Sequence, residues 1–172
     1  MDMLREVQEK DLNDILEIYN DAIINTTAIY DYKPHTFEDR KKWFKQKVED
    51  GYPVIGFEDN NKLVGFATFG TFRNFPAFKY TVEHSLYVHK ECRGKGVGTI
   101  LLKEIIEIAN KQGYATMVAG IDSANEKSIL MHKKFGFSYS GTIKKAGFKF
   151  NRWLDLDFYQ LELKGPNQPV EG

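Results

Sequence analysis

The sequence predicts one α/β domain, and two observations predict it. Apolar runs with a period of two alternate along the chain with runs at helical spacing, as alternating strands and helices require. One such strand, over 81–88, leads through Arg93-Gly94-Lys95-Gly96-Val97-Gly98 into a helical run over 97–112. A strand, a glycine loop and a helix in that order can seat a phosphate.

The elements follow in order. Residues 3–7 form a short first strand. Asp11 stands where a helix N-cap is expected, because Leu12, Ile15, Leu16, Tyr19, Ala22 and Ile23 then recur on one face. Thr36 and Asp39 make the reciprocal pair of a capping box ahead of Trp43, Phe44 and Val48, and Gly51 ends that helix. Residues 53–57 and 62–71 read as a hairpin around Glu58-Asp59-Asn60-Asn61. The helix over 97–112 is stopped by Gly113, and a strand is expected over 116–121. Asn125 can cap a helix running to Phe135, with Gly136 past its end. Late strands over 137–143 and 151–163 complete a domain taken as 1–164. Residues 165–172, polar with two prolines, read as a loose tail.

Composition narrows the function. The chain has 172 residues, 42% hydrophobic and 28% charged, enough for one domain with a sizeable core. Lysine plus arginine equals aspartate plus glutamate, 24 each, which argues against a general nucleic-acid binder. The single cysteine, Cys92, forms no internal disulfide, in keeping with a reducing cytoplasm. No apolar run approaches the ~20 residues of a membrane span, and the N-terminal residues lack a signal-peptide core. A cytoplasmic location is expected, with no membrane or nucleic-acid partner. Aromatic residues, at 14%, are numerous enough to line a pocket or an interface as well as the core.

The loop is the most specific motif. Glycine reaches backbone conformations that other residues avoid. A helix N-terminus offers unpaired N–H groups and about +0.5 of an elementary charge. Arg93 and Lys95 add mobile positive charge. A Walker loop is excluded by spacing: His89 stands at its first glycine, and Gly96 follows Lys95 where a hydroxyl is needed. A dinucleotide fingerprint is excluded because Thr99 stands at its third glycine, with no acid in a clear ribose-binding strand about 20 residues on.

What remains, Arg-Gly-x-Gly-x-Gly after a strand and opening a helix, resembles the pyrophosphate loop of the GNAT superfamily of N-acetyltransferases. The order of elements matches that superfamily too. Further segments resemble one branch, the phosphinothricin and methionine sulfoximine/methionine sulfone N-acetyltransferases. They are residues 18–23, 26–28, Trp43-Phe44, 51–53, 65–67, Phe72-Arg73, 81–85, 87–89, Asn125 with Ser128, 148–150 and 152–155, spanning roughly residues 3–163. Phe150-Asn151 departs from a Phe-Gly common in the branch. The resemblance implies a mixed central sheet splayed between the strands at 81–88 and 116–121, with helices on both faces. It implies acetyl-CoA as co-substrate, the amino group of a small amino acid analogue as acceptor, and a homodimer.

The resemblance also implies which residues meet the cofactor. Its pantetheine arm would bond to the backbone of Ser85, Leu86, Tyr87 and Val88. Its pyrophosphate would lie over Arg93, Gly94, Lys95, Gly96, Val97, Gly98 and Thr99. Asn125, Ser128 and Lys134 would add contacts from the helix that Asn125 opens. In many acetyltransferases a tyrosine seven residues after such an asparagine protonates the departing thiolate. Here that position is His132, a histidine as in this branch, able to donate near neutral pH or simply to pack on the cofactor.

Acetyl transfer needs a neutral amine, and an α-amino group has a pKa of roughly 8. Glu83 is the one carboxylate between Asn61 and Glu91, so it is the candidate base, with His84 a weaker alternative. Val82 and His84 face away from it, since side chains alternate along a strand. The acceptor site is expected to include Phe72, Arg73, Asn74, Phe75, Tyr80, Val82, Glu83 and His84. Arg73 would clamp the acceptor's carboxylate through paired hydrogen bonds, with Lys79 a further contributor to the pocket, while Arg152 and Trp153 contribute to pocket or dimer. His35, His84, His89 and His132 show no paired metal-ligand spacing, so no metal is expected. Cys92, beside the basic loop, would lie near the pyrophosphate and not the thioester, so a covalent acetyl-cysteine is not expected. Other acceptors (a peptide N-terminus, a polyamine, an aminoglycoside) and an inactive acyl-CoA-binding regulator are the competing readings. The acid-free stretch 72–80 speaks against polycations, and Glu83 speaks against an inactive protein.

Overall fold

The computed structural model describes residues 3–172; Met1 and Asp2, which open the expected domain 1–164, lie outside the described residues. Seven strands are β1 (Met3–Glu6), β2 (Val54–Asp59), β3 (Lys62–Thr71), β4 (Thr81–Val88), β5 (Thr116–Asp122), β6 (Ser138–Lys149) and β7 (Arg152–Glu162). They form one mixed sheet in the order β1-β2-β3-β4-β5-β7-β6. Helices α1 (Leu12–Asn25), α2 (Phe37–Glu49), α3 (Val97–Lys111) and α4 (Glu126–Lys134) join them. The parallel pairing of β4 with β5 runs from Thr81–Thr116 to Glu83–Val118 only, although β4 continues to Val88 and β5 to Asp122. The chain divides into two compact units, one running to Phe69 with Ser85–Ile105, the other Gly70–His84 with Ile106–Gly172.

In the first unit, α1 turns Leu12, Ile15 and Ile18 against Val7, Val54, Leu63 and Phe66, with Tyr19, Trp43, Phe44 and Tyr87 packed around them. Leu12, Ile15 and Ile18 are 0–2% exposed, so each contributes ~1.5–3 kcal/mol of burial. The expected capping box opens α2: Thr36 Oγ1 accepts from the Asp39 amide at 3.2 Å, and Asp39 accepts from the Thr36 amide at 2.8 Å. The β2–β3 turn is made by Asn60 and Asn61, whose φ of 50° and 63° suit asparagine. Gly65 lets α3 come close, since a Cβ there would lie 3.0 Å from both Leu101 and Val97. Asp11 departs from expectation. It precedes α1, but its carboxylate does not cap that helix; it accepts from the Gln8 amide at 2.8 Å and from Arg5 at 2.7 and 2.9 Å.

The second unit is built on β5 and the β6–β7 hairpin, with Val82, Met117, Ala119, Phe137 and Leu154 nearly or fully buried. Strand β6 continues past the expected end at 143 to Lys149. A register shift between Ile143 and Gly147, with Lys145 at φ 53°, carries the strand through a stretch whose lysines and glycine read as a break. Phe150 and Asn151, at φ 52° and 58°, make the hairpin turn. Beyond β7 the chain has no regular structure, yet the Gly165 amide donates to Tyr114 O at 3.1 Å and the Val170 amide to the Tyr80 hydroxyl at 3.0 Å.

Candidate functional site

In the first unit, β4 ends at Val88 and a 3-10 turn, Lys90–Cys92, carries the chain to the loop. Gly94 and Gly96 have φ of +76° and +85°, and a Cβ on either would meet nothing within 4 Å. The backbone angle demands glycine there, and the space above is open. The Ile100 amide bonds back to Gly96 O at 3.1 Å, so α3 starts from the loop, and its first turn holds no acid. Lys95 is exposed. Arg93 is already engaged: its Nε donates to Val88 O at 3.2 Å and its Nη2 to Asp21 on α1 at 3.1 Å. The sequence did not show this tie, because α1 and the loop are distant in the chain. The Tyr87 ring packs against Tyr19 and Phe66, at 5.7 and 5.4 Å. Ser85, Leu86 and Val88 are half-buried.

The second unit holds Glu83, His84 and His132. Glu83 is half-buried, and among the described residues it has no ion-pair partner. Burial alone pushes its carboxyl above the usual range. Its neighbours point the other way, as alternation requires: Val82 is 0% exposed and His84 is buried. Val82 is therefore a core residue, which corrects its expected contact with an acceptor. His84 is not open to an acceptor either. Its Nε2 lies 2.9 Å from Nε2 of His132 on α4, with the rings stacked at 18°. His132 Nδ1 lies 2.6 Å from Ser128 O and 3.4 Å from Ser128 Oγ. Phe137 sets its edge against both rings. Burial, then the neighbouring His132, pushes His84 down to about 3, and burial lowers His132 as well.

Asn125 caps α4, its Oδ1 accepting from the Ser128 amide at 3.2 Å, so only its amide N–H groups remain for a ligand. Lys134 is exposed near the end of α4. In the segment between β3 and β4, Arg73 is exposed and its guanidinium lies 5.6 Å from the Phe72 ring. Phe72 meets Phe78 edge-on at 6.2 Å, while Asn74 and Phe75 face solvent. Tyr80 is occupied by the backbone of Val170 and by Lys79, 5.2 Å from its ring. Arg152 is committed to buried Asp122 at 2.8 Å, a structural pair that accounts for this arginine. Trp153 is 57% exposed and meets Phe148 edge-on at 5.0 Å. Among the described residues no group of three possible ligands could hold a metal, and no helix is long and apolar enough to cross a membrane.

The loop can bind a diphosphate through backbone amides and lysine, and the half-buried carboxylate can take a proton from an amine. Comparisons agree. Residues 4–157 match the family model described as the acetyltransferase (GNAT) domain. An L-methionine sulfoximine/L-methionine sulfone acetyltransferase of Pseudomonas aeruginosa is 45% identical over 161 residues, covering 93% of this chain and 94% of that protein. An N-acetyltransferase of Staphylococcus aureus Mu50 is 52% identical, with a TM-score of 0.94 over 95% of this chain and 99% of that one. A phosphinothricin acetyltransferase of Sinorhizobium meliloti, solved in complex with acetyl-CoA, is 36% identical, with a TM-score of 0.94 over 99% of this chain and 94% of that one. The chain belongs to the GNAT acetyltransferase family.

Proposed function

We propose that this protein uses acetyl-CoA to acetylate the α-amino group of a small amino acid analogue of the phosphinothricin, methionine sulfoximine or methionine sulfone type. The observation that carries the reading is the glycine loop. Gly94 and Gly96 adopt conformations that favour glycine, under open space, at the start of a helix whose first turn has no acid. A diphosphate fits that cradle, with Lys95 and the amides of residues 97–99 as donors. The half-buried backbone of Ser85, Leu86, Tyr87 and Val88 serves the pantetheine, and Asn125, Ser128 and Lys134 add polar groups.

Acetyl-CoA supplies the acyl group as a thioester. Glu83 accepts a proton from the acceptor's ammonium, directly or through water, and its raised proton affinity brings it closer to the amine's own. The freed amine attacks the thioester carbonyl, a C–N bond forms, the C–S bond breaks, and CoA departs. His132, with both ring nitrogens engaged by His84 and Ser128, packs on the cofactor beside the departing sulfur. Arg73 holds the acceptor's carboxylate and Phe72 flanks its side chain. The enzyme works in the cytoplasm as a homodimer, a reading supported by the family resemblance and by the exposed Ile143, Phe150 and Trp153.

A thiol-release assay with acetyl-CoA and a panel of amines tests this. Turnover is expected on methionine sulfoximine, methionine sulfone or phosphinothricin, and little on spermidine or a peptide. Spermidine as the best acceptor would overturn the reading.

A further inference from the structure

Two imidazoles meeting nitrogen to nitrogen leave few choices of proton position. His84 Nε2 and His132 Nε2 are 2.9 Å apart, so one carries the hydrogen and the other accepts it. The second contact of His132 decides which. Its Nδ1 lies 2.6 Å from Ser128 O, and a carbonyl only accepts, so that proton sits on Nδ1. A neutral His132 then has a bare Nε2, and His84 must be the donor through its own Nε2. This leaves His84 Nδ1 bare, and that atom is fully buried without a partner. The opposite arrangement would give His132 a positive charge in a site where it is 3% exposed, against the direction in which burial moves both rings.

We infer that His84 is a positioning residue for His132: its Nε2–H fixes the tautomer and the plane of the His132 ring, whose Nδ1–H is held by Ser128 O on the preceding turn of α4. The four ring nitrogens account for this. One is bare and sealed, two face each other, and the fourth carries the proton that closes on Ser128 O. Phe137 closes the arrangement by packing its edge on both rings, at 6.1 Å from His84 and 5.0 Å from His132. The stacking at 18° then follows from one hydrogen bond and one aromatic wall. Sequence alternation placed His84 on the face of β4 opposite Glu83. The structure gives that inward side chain its task. The inference rests on the acetyltransferase reading only for its catalytic consequence; the tautomers stand without it.

Two measurements test it separately. In 15N-histidine-labelled wild type near pH 7, long-range 1H–15N spectra should show two neutral rings of opposite kind, His132 protonated on Nδ1 and His84 on Nε2. Two rings protonated on the same nitrogen, or an imidazolium, would overturn the proposal even if acetyl transfer is normal. In the thiol-release assay, His84→Ala should lower kcat by ~10-fold or more with both KM values within ~2-fold, and the His132 tautomer signal should shift. His84→Gln, whose amide can still donate to His132 Nε2, should recover kcat to within ~3-fold of wild type. Equal losses in both variants would make His84 a packing residue and sink the positioning role. Wild type inert toward every amine, with the expected tautomers in place, would count against the acetyltransferase reading and leave the pair standing.

Discussion

The glycine loop and the surroundings of Glu83, His84 and His132 handle charge in opposite ways. At the loop, Lys95 and Arg93 are exposed, the backbone is open to solvent, and Arg93 is balanced by Asp21 on α1. In the second unit the ionisable groups are withdrawn from water: Glu83 is pushed up and both histidines down, in each case with burial as the leading cause. Exposed charge binds a polyanion without changing its own protonation. Buried groups have altered proton affinity, which proton transfer requires. Substitutions in the two places should therefore fail differently, in KM at the loop and in kcat near Glu83.

The largest effect is expected at Glu83. Glu83→Gln keeps the shape and removes the base, so turnover should fall roughly 10²–10⁴-fold with the KM for acetyl-CoA little changed. The wild-type rate should fall with pH through an apparent pKa above the ordinary carboxylate range, and the variant should lose that limb. Stability should move the other way. A carboxyl whose folded pKa is raised stabilises the fold below its unfolded pKa, and that contribution is lost as pH rises through the folded pKa. Near pH 7 the glutamine variant should therefore melt no lower than wild type. A variant that loses both activity and Tm would show that Glu83 is a structural residue.

Much of this contrast was legible in the sequence, for physical reasons. The loop announced itself because positive φ selects glycine, and the Thr36–Asp39 box and the Asn125 cap because orphan helix amides select short polar side chains. Strand β4 was found at its full length, since alternation of buried and half-buried side chains leaves a period of two. What was not legible depends on contacts between distant segments. Nothing in the chain order says that His84 meets His132, that Asp21 meets Arg93, or that Arg152 is spent on Asp122. The end of β6 was misplaced because its bulge uses residues that elsewhere mark turns. Asp11 fails as a cap because the Gln8 amide and Arg5 compete for its carboxylate.

Next in size is Arg73. Its exposed guanidinium is free to pair with an acceptor carboxylate, and Arg73→Ala should cost ~1.5–3 kcal/mol in kcat/KM for the amino acid. Acetyl-CoA saturation should be unaffected. Wild type that accepts an amino acid and its amide equally well would remove the clamp. At the loop, Gly96→Val puts a β-branched residue at φ +85°, which costs about 1–2 kcal/mol of backbone strain. The KM for acetyl-CoA should rise ~5–30-fold while kcat at saturation changes less. A kcat loss with unchanged KM would erase the division between the two regions.

The smallest effect tests the loop most finely. Asp21 neutralises Arg93 across 3.1 Å, with the arginine side chain 46% exposed and the aspartate 16%. A pair this open is worth ~0–1 kcal/mol, so Asp21→Asn should lower Tm only slightly. Its effect on the cofactor has a sign that follows from competition. If phosphate and Asp21 draw on the same guanidinium, removing the carboxylate releases positive charge to the cofactor. The KM for acetyl-CoA should then fall by up to ~5-fold, the equivalent of ~1 kcal/mol. The gain should shrink as salt rises, because exposed charges are screened within a Debye length of roughly 8–10 Å. Arg93 keeps its second bond, Nε to Val88 O, in the variant, so the loop retains one of its two ties. A rise in KM instead would mean that the Asp21 bond holds the loop in its binding shape, and that the positive charge met by the cofactor comes from Lys95 and the helix amides alone.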